Sequence, residues 1–168
     1  ITVTTNANGV ASGSLAVNGD PRTAQLKAAF AGDTHFVGSS KTVTFEITKN
    51  PSTTTLLQPA QVVHSQPVSF TALVARGSGN GAPTGTVQFT VDGADLGSPV
   101  PVSGGQATSP STSTLNAGNH TIGAVYSGDT TLAGSSAETK QLVVAKAPTA
   151  TVLTSSGSPT VSGQTVTF

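Results

Sequence analysis

From Val68 onward the chain places a chosen kind of residue at every second position, with Val68, Phe70, Ala72 and Val74 alternating with Ser69, Thr71, Leu73 and Ala75. A period of two sends alternate side chains to opposite faces, so this stretch predicts a strand with one face in a core. After a glycine-rich loop from Gly77 to Pro83, Val87, Phe89 and Val91 repeat the pattern around Gln88 and Thr90. Asp92-Gly93 follows at once. That pair tolerates the left-handed backbone of a two-residue hairpin turn and predicts a short return strand around Ala94 to Leu96. Ser98 to Thr114 alternates weakly and carries Pro99, Pro101 and Pro110; proline has no N–H to give a ladder, so this stretch is expected along an edge or through bulges. Asn119 to Tyr126 then turns Ile122, Ala124 and Tyr126 inward, and Thr139 to Val144 does the same with Leu142 and Val144. No segment shows a helical period.

The pattern also repeats at long range. Ala31-Gly32-Asp33-Thr34 and Gly38-Ser39-Ser40 recur 96 positions on as Ser127-Gly128-Asp129-Thr130 and Gly134-Ser135-Ser136. At the same shift Leu26, Ala28 and Phe30 fall on Ile122, Ala124 and Tyr126; after one inserted residue Phe45 and Ile47 fall on Leu142 and Val144. Pro51 to Leu56 is echoed by Pro148 to Leu153, and Gln66 to Phe70 by Gln164 to Phe168. Internal periodicity of this kind predicts stacked units: the later part of one copy at 1–50, a complete copy at 51–147 and the opening of a third at 148–168. About seven short strands in roughly 95 residues, with turn signals every 8 to 12, match an all-β, immunoglobulin-like antiparallel β-sandwich repeated in tandem, with a barrel as the alternative.

Composition narrows the function. Charged residues make up 8% of the chain, against roughly 25% in ordinary globular proteins. Seven acidic and seven basic residues are scattered singly and leave no net charge, so neither nucleic acid nor an anionic membrane has an electrostatic footprint to meet. Thr and Val suit strands and lose rotamer freedom in helices. The absence of cysteine excludes disulfides and thiolate metal sites. No apolar run approaches the length that spans a bilayer, and no signal peptide opens the chain. The chain begins at Ile1 and stops at Phe168 inside a strand pattern, so a segment of a longer protein is expected.

Candidates for chemistry are few. Asp33 and Asp129 occupy the same place in two copies, and Asp92 and Asp95 flank a hairpin turn; all four are weak calcium candidates. Calcium takes six to eight oxygens, no second carboxylate accompanies Asp33 or Asp129, and a carboxylate that caps its own loop explains the placement better. His35, His64 and His120 do not recur between copies and read as surface residues. No Gly-x-Ser-x-Gly or Ser-x-x-Lys motif supplies a hydrolytic nucleophile. Phe70, Phe89 and Tyr126 all fall on inward phases, as core residues do, whereas sugar-binding modules offer exposed rings. No cofactor is expected.

The run Leu115-Asn116-Ala117-Gly118-Asn119-His120-Thr121-Ile122-Gly123-Ala124-Val125-Tyr126-Ser127-Gly128-Asp129, with Pro83-Thr84-Gly85-Thr86-Val87-Gln88-Phe89, resembles the bacterial Ig-like domain repeats of large exported or surface proteins. The resemblance implies that the Thr-Gly-Thr-Val-x-Phe strand and the Val-Tyr-Ser-Gly-Asp turn mark the fold and carry no catalytic signature. It implies an extracellular or cell-surface setting, neighbouring Ig-like repeats as partners, and a spacer or stalk role. The alternative is an adhesive module that binds a glycan or an extracellular protein through the loops Gly77 to Pro83 or Ser127 to Gly134. The short joints Lys49-Asn50-Pro51 and Lys146-Ala147-Pro148, free of Gly/Ser tracts, predict a semi-extended relation between neighbours. The strand Gln164 to Phe168 lacks the partners that Gln66 to Phe70 has, so it is expected to gain little order alone.

Overall fold

The computed structural model describes residues 1–17, 19–59, 61–156 and 161–167. All regular structure among them is β. Strands β1 (Arg22–Gly32) and β2 (Val37–Ile47) form an antiparallel hairpin by themselves. Ten further strands lie between Ser52 and Ala145: β3 (Ser52–Leu57), β4 (Gln61–Val63), β5 (Thr71–Arg76), β6 (Thr86–Val91), β7 (Ala94–Asp95), β8 (Val100–Pro101), β9 (Gln106–Thr108), β10 (Gly118–Tyr126), β11 (Ser135–Ser136) and β12 (Lys140–Ala145).

They make two sheets. One has the order β3-β5-β9; the other runs β4-β12-β10-β6-β7, with β11 also paired to β10 and β8 to β6. Every pairing is antiparallel except β4 with β12, where Val143 to Ala145 run parallel to Gln61 to Val63. Two separate sheets rule out the barrel. Their facing sides form one core: Leu56, Ala72, Val74 and Ala107 from the first sheet meet Val87, Phe89, Ile122, Ala124, Tyr126, Leu142 and Val144 from the second, with Phe70 and Leu132 from the connections. The inward phases predicted from the alternation are thus the buried ones, except that Val91 is only partly buried at the margin of the core.

The two buried polar residues among those described, Thr54 and Ser109, are both hydrogen-bonded, as burial requires. Ser109 Oγ accepts the Phe70 N–H at 2.9 Å and donates to the Pro110 carbonyl at 3.0 Å. Thr54 reaches across from β3 to the Ser135 hydroxyl at 2.7 Å, joining the two sheets at their margin.

Asp92 and Gly93 both have positive φ, 52° and 83°, as a turn of the predicted type demands. The proline-rich stretch holds only β8 and β9, and β9 stands at the edge of its sheet. Strands β3 and β4 were not marked by the alternation. In β3 the inward positions are Thr54 and Leu56, and an inward threonine disguises the apolar phase.

The hairpin and the last two long strands differ in one residue. From Arg22↔Ile47 to Gly32↔Val37 the hairpin keeps one register. On β10 the register steps between Tyr126↔Ser135 and Ile122↔Lys140, so that Ala137 to Thr139 face Gly123 and Ala124. This β-bulge is the inserted residue seen in the sequence. It seats Ala137, 8% exposed, with its N–H on the Ala124 carbonyl.

The hairpin's apolar side is much less covered. Leu26 is 52% exposed and Phe30 45%, whereas Ile122 and Tyr126, 96 positions on, are 0% and 1%. The described residues from 148 to 167 hold no strand; Phe168, the end of the predicted opening strand, lies outside the described residues.

Candidate functional site

The densest polar cluster sits where β10 leaves the core and turns toward β11. Gly128 has a φ of 79°, and a Cβ there would press on the Leu132 carbonyl, so only glycine fits before the acid. Asp129 then folds its carboxylate back on the loop. Its Oδ1 accepts the N–H groups of Thr131 at 2.8 Å and Leu132 at 2.7 Å and the Thr131 hydroxyl at 3.1 Å. Its Oδ2 accepts the N–H of Thr84 at 3.0 Å, the Thr84 hydroxyl at 3.1 Å and the Tyr126 hydroxyl at 3.2 Å. Tyr126 buries its ring and also donates to the Thr84 carbonyl at 2.5 Å. Gly85 follows Thr84 because a Cβ there would overlap the Gly128 carbonyl.

These contacts set the ionisation. Burial pushes the Asp129 carboxyl up, but the backbone bonds from Thr84, Thr131 and Leu132 and the Thr84 hydroxyl bond outweigh it and hold the group well below the usual carboxylate range. Burial and the neighbouring Asp129 charge push the Tyr126 phenol up to about 12. A carboxylate whose oxygens are taken up by donors of its own chain is a structural clasp and is poorly placed to take a metal or a proton from a substrate.

Asp33 repeats the inner half of this clasp. Its Oδ1 accepts the N–H groups of His35 at 2.7 Å and Phe36 at 2.8 Å, and its own N–H donates to the Phe36 carbonyl at 2.8 Å. The loop Ala31–Gly38 borders an open cleft of about 490 Å³. Nothing corresponding to Thr84 reaches Asp33 among the hydrogen bonds of the described residues.

Asp92 is engaged as well. Its Oδ1 accepts the Thr121 N–H at 2.8 Å, and Oδ2 lies 2.7 Å from His120 Nδ1. His120 Nε2 is 2.8 Å from the Asn116 carbonyl. Both ring nitrogens therefore face acceptors, which suits the imidazolium. The Asn116 carbonyl and the Asp92 carboxylate raise the imidazole pKa, and the Thr121 N–H and His120 lower that of Asp92. The expectation that all three histidines are plain surface residues needs correction here: the His120 side chain is only 14% exposed, and His64 Nδ1 contacts the Leu115 carbonyl at 2.9 Å. Lone histidines in a strand and a loop gave no spacing signal for these partners.

The four aspartates do not come together. Among the described residues no three His, Cys, Asp or Glu side chains stand where they could hold a metal ion, and Asp95 lies on the exposed strand β7. No helix of the described residues is long and apolar enough to cross a membrane. The aromatic residues Phe70, Phe89 and Tyr126 are at most 1% exposed and present no platform to a sugar.

Residues 54–145, more than half of the chain, match the family described as Bacterial Ig-like domain (group 3). No curated protein matches the chain.

Two measurements check the geometry. Tyr126→Phe leaves the Thr84 carbonyl without its donor and is expected to cost about 1–2 kcal/mol in chemical denaturation, and Asp129→Asn about 2–4 kcal/mol because several donors lose a charged acceptor. The Asp129 contribution is present above the ordinary carboxylate value of 3.8 and is lost as the pH falls below it, since the folded-state value is the lower one. His120 has the opposite sign. Its stabilisation is present below the ordinary imidazole value of 6.5 and is lost as the pH rises through the raised folded-state value. The denaturation midpoint should fall across that window in the parent chain and stay level in His120→Asn; a level parent profile would refute the imidazolium bridge.

Proposed function

As the chain belongs to the bacterial Ig-like domain family (group 3), we propose that it is a structural, non-catalytic repeat that serves as a spacer or stalk in a bacterial exported or surface protein. One observation carries this reading: the acid that recurs in the sequence, Asp33 and Asp129, hydrogen-bonds to its own turn in both places. The recurring polar residue is spent on shape. A family fold alone assigns no ligand, and the sandwich spends its aromatic residues on the core.

In this reading 51–147 is a complete unit, the hairpin Arg22–Ile47 belongs to a preceding unit, and 148–168 opens a following one. Support comes from the equal ladder positions of Arg22↔Ile47 and Gly118↔Val144, which are related by the repeat shift and its inserted residue. The partners are then neighbouring repeats, and the setting is the cell surface or beyond. A low content of charge and an absence of cysteine suit a passive connector in that setting.

The test is a screen of the whole chain against arrays of glycans and extracellular-matrix proteins. No saturable binding is expected below about 100 μM. Saturable binding that disappears when the exposed loop Gly77–Gly81 is exchanged would replace the stalk by an adhesive module.

A further inference from the structure

Between the hairpin and the sandwich lies Thr48-Lys49-Asn50-Pro51, and three of these four residues are bound to the sandwich. The Lys49 ammonium donates to the Asp129 carbonyl at 2.6 Å. The Asn50 N–H donates to the Thr131 carbonyl at 2.8 Å, and the Asn50 carbonyl accepts the Ala133 N–H at 2.8 Å. Together these last two make a parallel bridge between Asn50 and Leu132. The Asn50 side-chain oxygen accepts the Ser78 hydroxyl at 3.2 Å, and the Pro51 carbonyl accepts the Gly77 N–H at 3.0 Å. Ser52, the first residue of β3, continues the contact with its hydroxyl on the Ala133 carbonyl at 2.7 Å.

We propose that the turn Ser127–Gly134 is the docking surface for the linker that enters the unit, and that its ligand class is an extended Lys-Xaa segment that follows the neighbouring repeat and runs into the unit's first proline. The turn offers a carbonyl, a second carbonyl and an amide in sequence, at Asp129, Thr131 and Ala133. An extended strand with a lysine one residue before the bridge meets all three. Asp129 makes the socket by holding Thr131 and Leu132 in place, and Leu132 anchors it from below with no exposed surface. The proline ends the segment with a fixed φ and needs no donor partner of its own.

The consequence concerns the joint. Strand β2 ends at Ile47, and docking begins at Lys49, so Thr48 alone is left between the hairpin and the sandwich. Lys146-Ala147-Pro148 repeats the Lys-Xaa-Pro order and follows β12 directly, since that strand ends at Ala145. An array built this way has joints of about one residue and holds neighbouring units in a set relation, unlike a flexible coil, whose reach grows with the square root of its length. It also occupies the Asp129 and Thr131 carbonyls and the Ala133 amide of the turn, while Ser127, Thr130 and Gly134 stay exposed.

This inference deepens the stalk reading and rests on it. Because the chain has no cysteine, spin labels can be placed cleanly by Thr48→Cys with Ser98→Cys, and by Thr108→Cys with Ser98→Cys as a pair inside the sandwich. The two distance distributions should be equally narrow in the parent chain. In Asn50→Pro, which deletes the donor to Thr131, the first should broaden about twofold while the second stays narrow. In the same variant the Ala133 amide should exchange about tenfold faster, with the Ala124 amide unchanged. Lys49→Ala, which leaves the backbone intact, should give a smaller change in the same direction. A broad first distribution in the parent, or an unprotected Ala133 amide there, would overturn the docked linker. That failure leaves the stalk reading intact, whereas saturable ligand binding would overturn the stalk reading and leave the docked linker standing.

Discussion

Each of the two sheets of the sandwich has one apolar face, and only the other sheet can cover it. Leu56, Ala72, Val74 and Ala107 cannot leave water unless Phe89, Ile122, Tyr126 and Leu142 close over them, and burial of such surface is the main force available to a chain with so few charges. The core is small and contains several alanines, so it works only when all contributing strands are present. The hairpin Arg22–Ile47 shows the other case. It has a long ladder in a single register and the same alternation, yet Leu26, Phe30 and Val43 keep about half of their surface in water. Ladder hydrogen bonds bring strands together; the second sheet makes a domain of them.

Where strands leave the core, backbone groups would be stranded, and the protein answers with short polar side chains. Asp129 ties the start of β6 to the end of β10 and shapes the turn beyond it, and the Tyr126 hydroxyl closes the gap to Thr84. Asp92 does the corresponding work at the β6–β7 turn through Thr121 and His120. The shaped turn is in turn what the entering linker rests on. A chain of dependence therefore runs from core burial to turn geometry to the joint. It gives physical content to a stalk role: shape is passed from one element to the next through backbone contacts and needs no dedicated binding site.

Much of this was legible in the residues. Val68, Phe70, Ile122 and Tyr126 announced their inward phase, Asp92-Gly93 announced its turn, and the repeated Gly-Asp announced a loop cap. Strand β3 was hidden because Thr54 stands at an inward position and is paired there by Ser135. The His120 bridge was hidden because its partners, Asp92 and Asn116, come from a separate turn and from the preceding loop, and only the fold brings them to the ring. The docked linker had a composition signal, Lys-Asn-Pro, but its receptor lies about 80 residues away, as the Lys49 contact shows. Local pattern reports a residue's face; it does not report a distant partner.

The account stands most directly on the claim that the second sheet, and not the strand pairing, stabilises these side chains. Chemical denaturation of the whole chain with Ile122→Ala and, separately, Leu26→Ala compares the same kind of truncation at two positions 96 residues apart. Burial predicts a loss of about 2–5 kcal/mol for Ile122→Ala and less than about 1 kcal/mol for Leu26→Ala. Equal losses at the two positions would contradict it, because the hairpin would then be covered as fully as the sandwich.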